Sequence, residues 1–383
     1  KTDATTIADT QTTTINQMIQ NAVVAQKEVE YGSTTFTDEE LAEMQTTVDD
    51  QYASYTTSVQ SSYFADTELT GDELTAAIDA KMVELGYNKD TMLESAKTTK
   101  AQEKLKAEVV KDVAVTDEDI QTEYDSRVAD AKSTYADNVS AYASNINSGS
   151  TVYTVPEGYR YVKNILVQLT SEDSTAISDL NTQISSKQTE IDTANTSIAA
   201  LPEDAATDTE EQAATRTTLT EQLATLQGEL DELNKQLTEK KEAAYAAIQP
   251  KIDEIQAKLA EEGADFDAIM EEYGEDTGMK SEPAKTNGYP VCEGCTAWAS
   301  EFTAASMALA KIGDVSEPFR TSFGIHIVKY VGDIAAGDVP LDSVKDVISA
   351  DLLSTKQDDL YNTTVEQWVA EANAVTHAEL LAD

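Results

Sequence analysis

The stretch that decides the fold of this chain is WASEFTAASMALAKIGDVSEPFRTSFGIHIVKY, residues 298–330. Apolar side chains recur at helical spacing after Phe302, and Gly313 is placed to end that helix in a left-handed cap. The residues from Phe323 onward alternate, which predicts a strand that carries His326. The segment therefore predicts a compact unit of helix, turn and strand.

Three motifs run through this segment in order: F-x-x-A-x-x-x-L, then G-x-x-S-x-P, then T-x-x-G-x-H-I. Their members are Phe302, Ala305, Leu309, Gly313, Ser316, Pro318, Thr321, Gly324, His326 and Ile327. In this spacing the segment resembles the C-terminal half of a parvulin-type peptidyl-prolyl isomerase. The resemblance implies a small antiparallel sheet with helices, in which His326 belongs to the site.

The length and the net charge of the chain limit which functions are possible. The chain has 383 residues with 71 acidic and 27 basic side chains, a net charge of −44. This length predicts two or three units. The acidic field repels phosphate backbones and anionic headgroups, so nucleic acid is not an expected partner. No run of about 18 apolar residues is present, so no transmembrane segment is expected.

Cysteine and histidine are scarce. Cys292 and Cys295 lie in a C-E-G-C turn whose flanks read as loop, which favours a local disulfide or an inert thiol pair over a redox site. The histidines are His326 and His377, too few for a four-ligand zinc site, so neither metal nor cofactor is expected. The chain begins at Lys1 without Met, which suggests a mature form with its targeting segment trimmed.

Residues 14–143 carry a helical pattern almost throughout. The residues that mark helix ends are Thr37 with Glu40, Thr116 with Asp119, Gly32 and Gly86. The order I-N-x-x-I, T-D-E-E-L and V-T-D-E-D-I is similar to the chaperone region of SurA-like and PrsA-like bacterial foldases. That resemblance implies a discontinuous helical chaperone domain over 1–157, completed by a helix within 335–383.

The parvulin-like domain is expected over 158–334. It begins with the β-branched run YRYVKNILVQL, residues 159–169, after a Ser- and Asn-rich linker over 144–156. Here Asn164 stands where the family has a histidine on its first strand. Asparagine keeps one donor and one acceptor but loses the ring, so weakened activity is expected.

Two runs of apolar residues at heptad spacing lie inside this domain. They are Ile177, Ile184, Ile191 and Ile198, then Leu219, Leu223, Leu226, Leu230, Leu233 and Leu237. They predict an antiparallel coiled-coil hairpin over 174–241, with its tip at 202–212. Heptads alone name no partner, so an inert decoration, a dimerisation surface, a spacer and a client-contacting arm all stay open.

The resemblance assigns the site residue by residue. An X-Pro amide rotates over a barrier of about 18 to 20 kcal/mol, so a catalyst must enclose the proline ring and favour the twisted amide, without a covalent step. The residues that match the polar, catalytic set are His326, Asp276, Asn164 and Thr321. The proline slot is assigned to Phe302, Trp298 and Phe323.

The sequence as a whole predicts an α+β protein: a helical chaperone domain that carries a parvulin-like domain interrupted by the hairpin. The predicted function is an exported foldase that isomerises X-Pro bonds in unfolded secreted polypeptides, secreted or at the cell surface. A holdase with a non-catalytic parvulin scaffold is the rival, favoured by Asn164. A purely structural protein is the third reading, favoured if the helical domain has no apolar cleft. A homodimer and a lipid anchor stay open.

Overall fold

The computed structural model describes residues 4–374. The chain divides into two compact units, Lys1–Thr122 with Lys345–Asp383, and Glu123–Val344. Between residues 4 and 374, none of the helices combines the length and hydropathy that a membrane span requires.

The first unit is helical. Its helices are α1 (Ala4–Glu30), α2 (Asp38–Tyr63), α3 (Gly71–Glu84), α4 (Lys89–Val109), the start of α5 (Asp117–Asp137) and most of α12 (Leu341–Glu371). Both predicted capping boxes are confirmed. Thr37 accepts from the Glu40 amide and the Glu40 carboxylate accepts from the Thr37 amide, and Thr116 pairs with Asp119 in the same way.

The core of this unit joins residues from both ends of the chain. Val23 of α1, Leu105 of α4, and Val365 and Trp368 of α12 lie in one buried cluster. The Trp368 ring lies 5.8 Å from that of Tyr31. The last described helix therefore packs on the first and the fourth.

The second unit is built on a four-stranded antiparallel sheet of order β3-β2-β5-β4. Its strands are β2 (Arg160–Gln168), β3 (Tyr289–Val291), β4 (Phe319–Thr321) and β5 (Gly324–Asp333), and β1 (Thr154–Val155) pairs separately with β6 (Gly337–Asp338). The remaining helices are α6 (Ala141–Asn147), α7 (Ser171–Ala199), α8 (Glu210–Leu259), α9 (Phe266–Tyr273), α10 (Ala284–Asn287) and α11 (Ser300–Ala308).

The two central strands are buried on both faces. Ile165 pairs with Ile327 in the register of β2 and β5, and both are fully buried in the core to which Ile252 and Ile255 of α8 belong. The next pair, Leu166 and His326, points to the opposite face because side chains alternate along a strand. One face of the sheet is thus core, and the other carries the polar residues.

The helix before this strand is shorter than predicted. It ends at Ala308, five residues before the expected cap at Gly313, because Leu309 is already extended. Gly313 does have a positive φ of 95°, and its amide donates to the Tyr330 carbonyl on β5. The glycine therefore serves the turn that leads into the sheet.

The unit boundaries differ from the predicted ones at 157 and 335. Tyr135, Tyr142 and Tyr159 pack in one buried cluster with both cysteines, which draws the chain from Glu123 onward into the second unit. The predicted linker 144–156 is likewise partly structured, because α6 and β1 occupy it. The pairing of β1 with β6 keeps the residues just after β5 in the same unit.

The hairpin predicted inside this unit is formed by α7 and α8. Lys240 bonds Asp173 at 2.7 Å and Lys187 bonds Glu229 at 2.9 Å, which sets an antiparallel register. Residues at the predicted heptad positions are buried between the helices: Ile191, Leu226 and Leu230. The helix α8 does not stop at the predicted end of the hairpin, residue 241; it runs unbroken for 50 residues to Leu259.

The base of the hairpin contributes to the core of the second unit. Ile177 belongs to the buried cluster of the sheet, and Leu237 packs against it. We therefore expect that replacing residues 182–232 with a short Gly/Ser linker shifts the melting temperature of this unit by less than about 2 °C. Replacing 174–241 also removes both core side chains and should cost about 2 to 4 kcal/mol.

Thermal unfolding followed by Trp298 fluorescence in a Trp368→Phe background compares the two excisions. An equally large loss from the shorter excision would show that the outer hairpin belongs to the core.

Candidate active site

A chain of hydrogen bonds crosses the polar face of the sheet and joins all four residues of the predicted catalytic set. Thr321 Oγ1 lies 2.8 Å from His326 Nε2, and His326 Nδ1 lies 3.1 Å from Asn164 Oδ1. Asn164 Nδ2 then donates to Asp276 Oδ2 at 2.7 Å. Strands β2, β4 and β5 and the loop after α9 therefore bring these side chains together.

The direction of each bond in the chain follows from its carboxylate end. Asp276 can only accept, so Asn164 must turn its amide nitrogen toward it and its oxygen toward His326. His326 then carries its proton on Nδ1, and the unprotonated Nε2 accepts from the Thr321 hydroxyl. Thr321 Oγ1 in turn accepts from the Phe323 amide at 3.1 Å. Every member has a partner of the right polarity.

Burial keeps His326 neutral. The side chain is 5% exposed, and this burial lowers its pKa to about 4, although the nearby Asp276 opposes the shift. The imidazole is therefore uncharged at neutral pH, as the directed chain requires.

Asp276 is held from several sides. Its Oδ1 accepts from the Tyr289 hydroxyl at 2.9 Å and from the Gly278 amide at 3.0 Å, while Oδ2 accepts from Asn164. Burial, followed by the charge of Asp276, raises the pKa of Tyr289, so its hydroxyl stays a donor. The carboxylate is thus a fixed acceptor with a set orientation.

An apolar wall faces this polar floor. Together they enclose a cavity of about 530 Å³, and the predicted slot residues Trp298, Phe302 and Phe323 line it. Phe302 is buried and meets the His326 ring edge-on at 5.6 Å, whereas Phe323 is 62% exposed at the rim. Trp298 is half-buried, and its indole N–H donates to the Pro290 carbonyl at 2.9 Å.

Gly324 allows β5 to begin where it does. Its φ is +154°, and a Cβ there would lie 2.1 Å from the Val167 carbonyl oxygen of β2. Only glycine fits so close an approach, which fixes His326 two residues further along the strand.

The arrangement suits a reaction without covalent steps. Both nitrogens of His326 are occupied by neighbours, and the Asp276 carboxylate is saturated by donors, so neither is poised as a nucleophile. An amide bound in this site would lie in an apolar cavity beside fixed dipoles and one fixed negative charge. Such preorganised polarity can favour a twisted amide over the planar ground state.

Two residues of the site are not in the predicted set. Tyr289 follows the Asn287–Gly288 turn and both lines the cavity and bonds Asp276. Phe319 stacks on His326 with ring centroids 5.3 Å apart and an interplanar angle of 13°. The available signal for Phe319 was its place directly after the G-x-x-S-x-P motif, two residues before Thr321.

The cysteines, for which the sequence favours a local disulfide or an inert thiol pair, do not line the cavity. Cys292 and Cys295 are buried free thiols in the tyrosine cluster, and burial raises the pKa of Cys292. The C-E-G-C turn itself does not line the cavity, whereas Tyr289 before it and Ala297 and Trp298 after it do.

The fold and this site define a class. Residues 230–332 match the rotamase family, the PPIC-type PPIase domain. The chain therefore carries a PPIC-type peptidyl-prolyl isomerase domain, as the resemblance implied. The match begins within α8, so β2 and Asn164 lie outside it, on the far side of the hairpin.

Curated relatives of this chain are foldases and chaperones. It is 35% identical over 123 residues to the foldase protein PrsA 3 of Bacillus anthracis, covering 31% of this chain and 41% of the relative. It is 32% identical over 127 residues to the chaperone SurA of Xanthomonas oryzae pv. oryzae, covering 33% and 26%. The aligned region thus spans less than half the length of either relative.

Solved structures of the same kinds of protein also align. A PrsA from Bacillus anthracis covers 95% of this chain and 99% of its own, at 14% identity and a TM-score of 0.22. A SurA-like chaperone from Campylobacter jejuni covers 90% and 96%, at 15% identity and a TM-score of 0.26.

Proposed function

We propose that this chain is an extracytoplasmic foldase whose isomerase domain catalyses cis-trans isomerisation of X-Pro bonds in unfolded polypeptides. The observation that carries the proposal is the series of hydrogen bonds that runs from Thr321 to Asp276 beside a slot lined by aromatic rings. His326, Asp276, Asn164 and Thr321 act on the amide by polarity, and Phe302, Trp298 and Phe323 hold the proline ring. The foldase and chaperone names of the relatives support unfolded polypeptides as substrates and a location outside the cytoplasm.

Asn164 is compatible with catalysis. A first-strand histidine would offer one donor and one acceptor in its neutral form, and Asn164 supplies the same pair to Asp276 and His326. The replacement therefore keeps the direction of every hydrogen bond from Thr321 to Asp276, although asparagine fills less volume than an imidazole ring. This favours reduced turnover over loss of the site.

A non-catalytic holdase is the second candidate, and a cleft in the helical unit favours it. A groove of about 550 Å³ between α2 and α4 is lined in part by Met44, Tyr55, Tyr87 and Met92. The rings of Tyr55 and Tyr87 stack at 4.5 Å. Polarizable methionines and aromatic rings suit binding of varied apolar segments. Polar and charged residues, among them Glu40, Lys100 and Glu103, complete the lining, so the groove is apolar only in part.

Substitution of Asn164 separates the two candidates. We expect slow but measurable turnover of an X-Pro peptide by the wild-type protein. Asn164→His should raise it, while Asn164→Leu should lower it at least about tenfold, because two buried polar partners lose their bonds. Turnover is measured by exchange spectroscopy on a short peptide, with suppression of client aggregation followed in parallel.

The holdase reading has its own signature in this experiment. Turnover equal to the uncatalysed rate in both wild type and Asn164→His, with aggregation still suppressed, would contradict the isomerase and leave the holdase. Circular dichroism of each variant controls for folding.

A further inference from the structure

A second cleft adjoins the prolyl cavity within the same unit. Its volume is about 290 Å³, and Tyr289 and Trp298 line both spaces. The pair of rings therefore acts as a shared wall. The cleft's other side is formed by residues of α6 and of the segment that leads into α10: Ile146, Ser281, Pro283 and Ala284.

The lining is predominantly apolar. Isoleucine, proline, alanine and the two aromatic rings supply most of its surface, and none of the four polar site residues lines it. Glu282 also lines the cleft, and its carboxylate is engaged by α10, since it accepts from the Thr286 hydroxyl at 2.8 Å and from the Thr286 amide at 3.2 Å. The space is slightly smaller than the roughly 300 to 1,000 Å³ of small-molecule sites, and suits one apolar side chain.

The shared wall is anchored at both rings. The ring centroids of Tyr289 and Trp298 lie 4.3 Å apart. The Tyr289 hydroxyl donates to Asp276, and the Trp298 indole donates to the Pro290 carbonyl. Gly278 makes room for this, since a Cβ there would lie 2.2 Å from the Tyr289 hydroxyl. The separation between the two spaces is therefore set by fixed rings.

The thickness of the wall fixes which substrate residue reaches the cleft. Because each ring borders both spaces, the wall is one ring thick, and groups in van der Waals contact with its two faces lie about 7 Å apart, twice the ~3.5 Å contact distance. Successive Cα atoms of an extended chain advance by roughly 3.3 to 3.6 Å. A polypeptide with its proline in the cavity thus covers this separation in two residues. We propose that the cleft is a specificity subsite for an apolar side chain two residues from the isomerising proline. This proposal rests on the proposed function, since it places the proline in the adjoining cavity.

Paired peptides test the subsite. Each pair differs only in having leucine or glycine two residues before the proline, or two residues after it. The readout is the ratio of kcat/KM for the leucine peptide over the glycine peptide. We expect a ratio of about ten on one side of the proline and near one on the other, as for an apolar side chain gaining a pocket.

Variants of the cleft locate the effect. Ile146→Ala opens the cleft and Ser281→Trp fills it, and each should bring the ratio to within about twofold of unity. The matched controls are Val152→Ala, which packs against the same tyrosine cluster but does not line the cleft, and Lys285→Trp on the exposed side of α10. Both controls should keep the wild-type ratio.

The outcomes are distinguishable from failure of the proposed function. A ratio near one on both sides of the proline, or an unchanged ratio in Ile146→Ala and Ser281→Trp, overturns the subsite. If no peptide is turned over, Kd values replace the rates, measured from Trp298 emission in a Trp368→Phe background. Leucine preference in Kd without turnover then overturns the isomerase and retains the subsite, whereas equal Kd values overturn the subsite.

Discussion

Replacing His326 by alanine is expected to lower kcat/KM for an X-Pro peptide by about a hundredfold. The ring links Thr321 to Asn164 and packs between Phe302 and Phe319, so its loss leaves two buried polar groups unpaired and opens the cavity floor. A preorganised polar contact at a catalytic site is worth about 3 kcal/mol, which corresponds to that factor. Exchange spectroscopy on a short peptide measures it.

The control is Ile327→Val, on the same strand but on the opposite face of the sheet, which should keep turnover within about twofold. A His326→Ala protein that folds and stays within about threefold of wild type would show that the histidine is a core residue only.

The pH profile is a second readout for the same residue. With its pKa lowered to about 4, His326 is neutral between pH 5 and 8, so wild-type turnover should be flat there with respect to this group. Protonation as the pH falls through about 4 removes the Nε2 acceptor and should reduce turnover. Stability follows the same sign: the unfolded histidine takes up its proton near pH 6.5, so this group lowers stability as pH falls from there toward 4.

Replacing Trp368 by alanine should destabilise the helical unit by about 3 to 5 kcal/mol, the cost of deleting a large buried side chain. Its ring packs in the cluster that joins α12 to α1 and α4 and contacts Tyr31, and Lys27 lies over its face at 5.4 Å. Because α12 belongs to the helical unit from Lys345 onward, this loss should fall on that unit.

The two tryptophans make this measurable. In Trp368→Ala, the remaining Trp298 reports on the isomerase unit, while far-UV circular dichroism in urea reports on the helices of both units. The part of the dichroism change that the Trp298 signal does not follow, which belongs to the helical unit, should move to lower urea while the Trp298 transition stays in place. Unchanged dichroism, or an equal shift of both signals, would contradict the prediction. Val347→Ala, an exposed position on α12, is the matched control.

The parts of the fold that the sequence predicted well are those determined by local patterns. Residues that lie close together in the sequence determine each of these features: the capping boxes at Thr37 and Thr116, the heptads of the hairpin and the motif around His326. The predicted polar set also came together, because motif positions such as Gly324 and Thr321 fix strand register around the histidine.

What the sequence could not predict depended on distant packing. The region from Glu123 to Asn147 is helical by pattern, yet it joins the isomerase unit because three tyrosines pack with a cysteine turn more than a hundred residues away. Tyr289 entered the site for the same kind of reason: its partner Asp276 lies across a loop, and no periodicity marks that bond. The sequence did not predict where α8 ends, because the heptad pattern of the hairpin and the apolar pattern of the domain core follow each other in one uninterrupted helix.

Because α8 is one uninterrupted helix, the hairpin is a long arm whose base lies in the core of the isomerase unit. From Glu210 at the tip to Tyr245 at the base, the helix is about 53 Å long at 1.5 Å per residue. Tyr245 donates its hydroxyl to the Thr321 carbonyl at 2.8 Å, next to the polar site. A rotation of only 5° about this point would carry the tip through about 5 Å at that length.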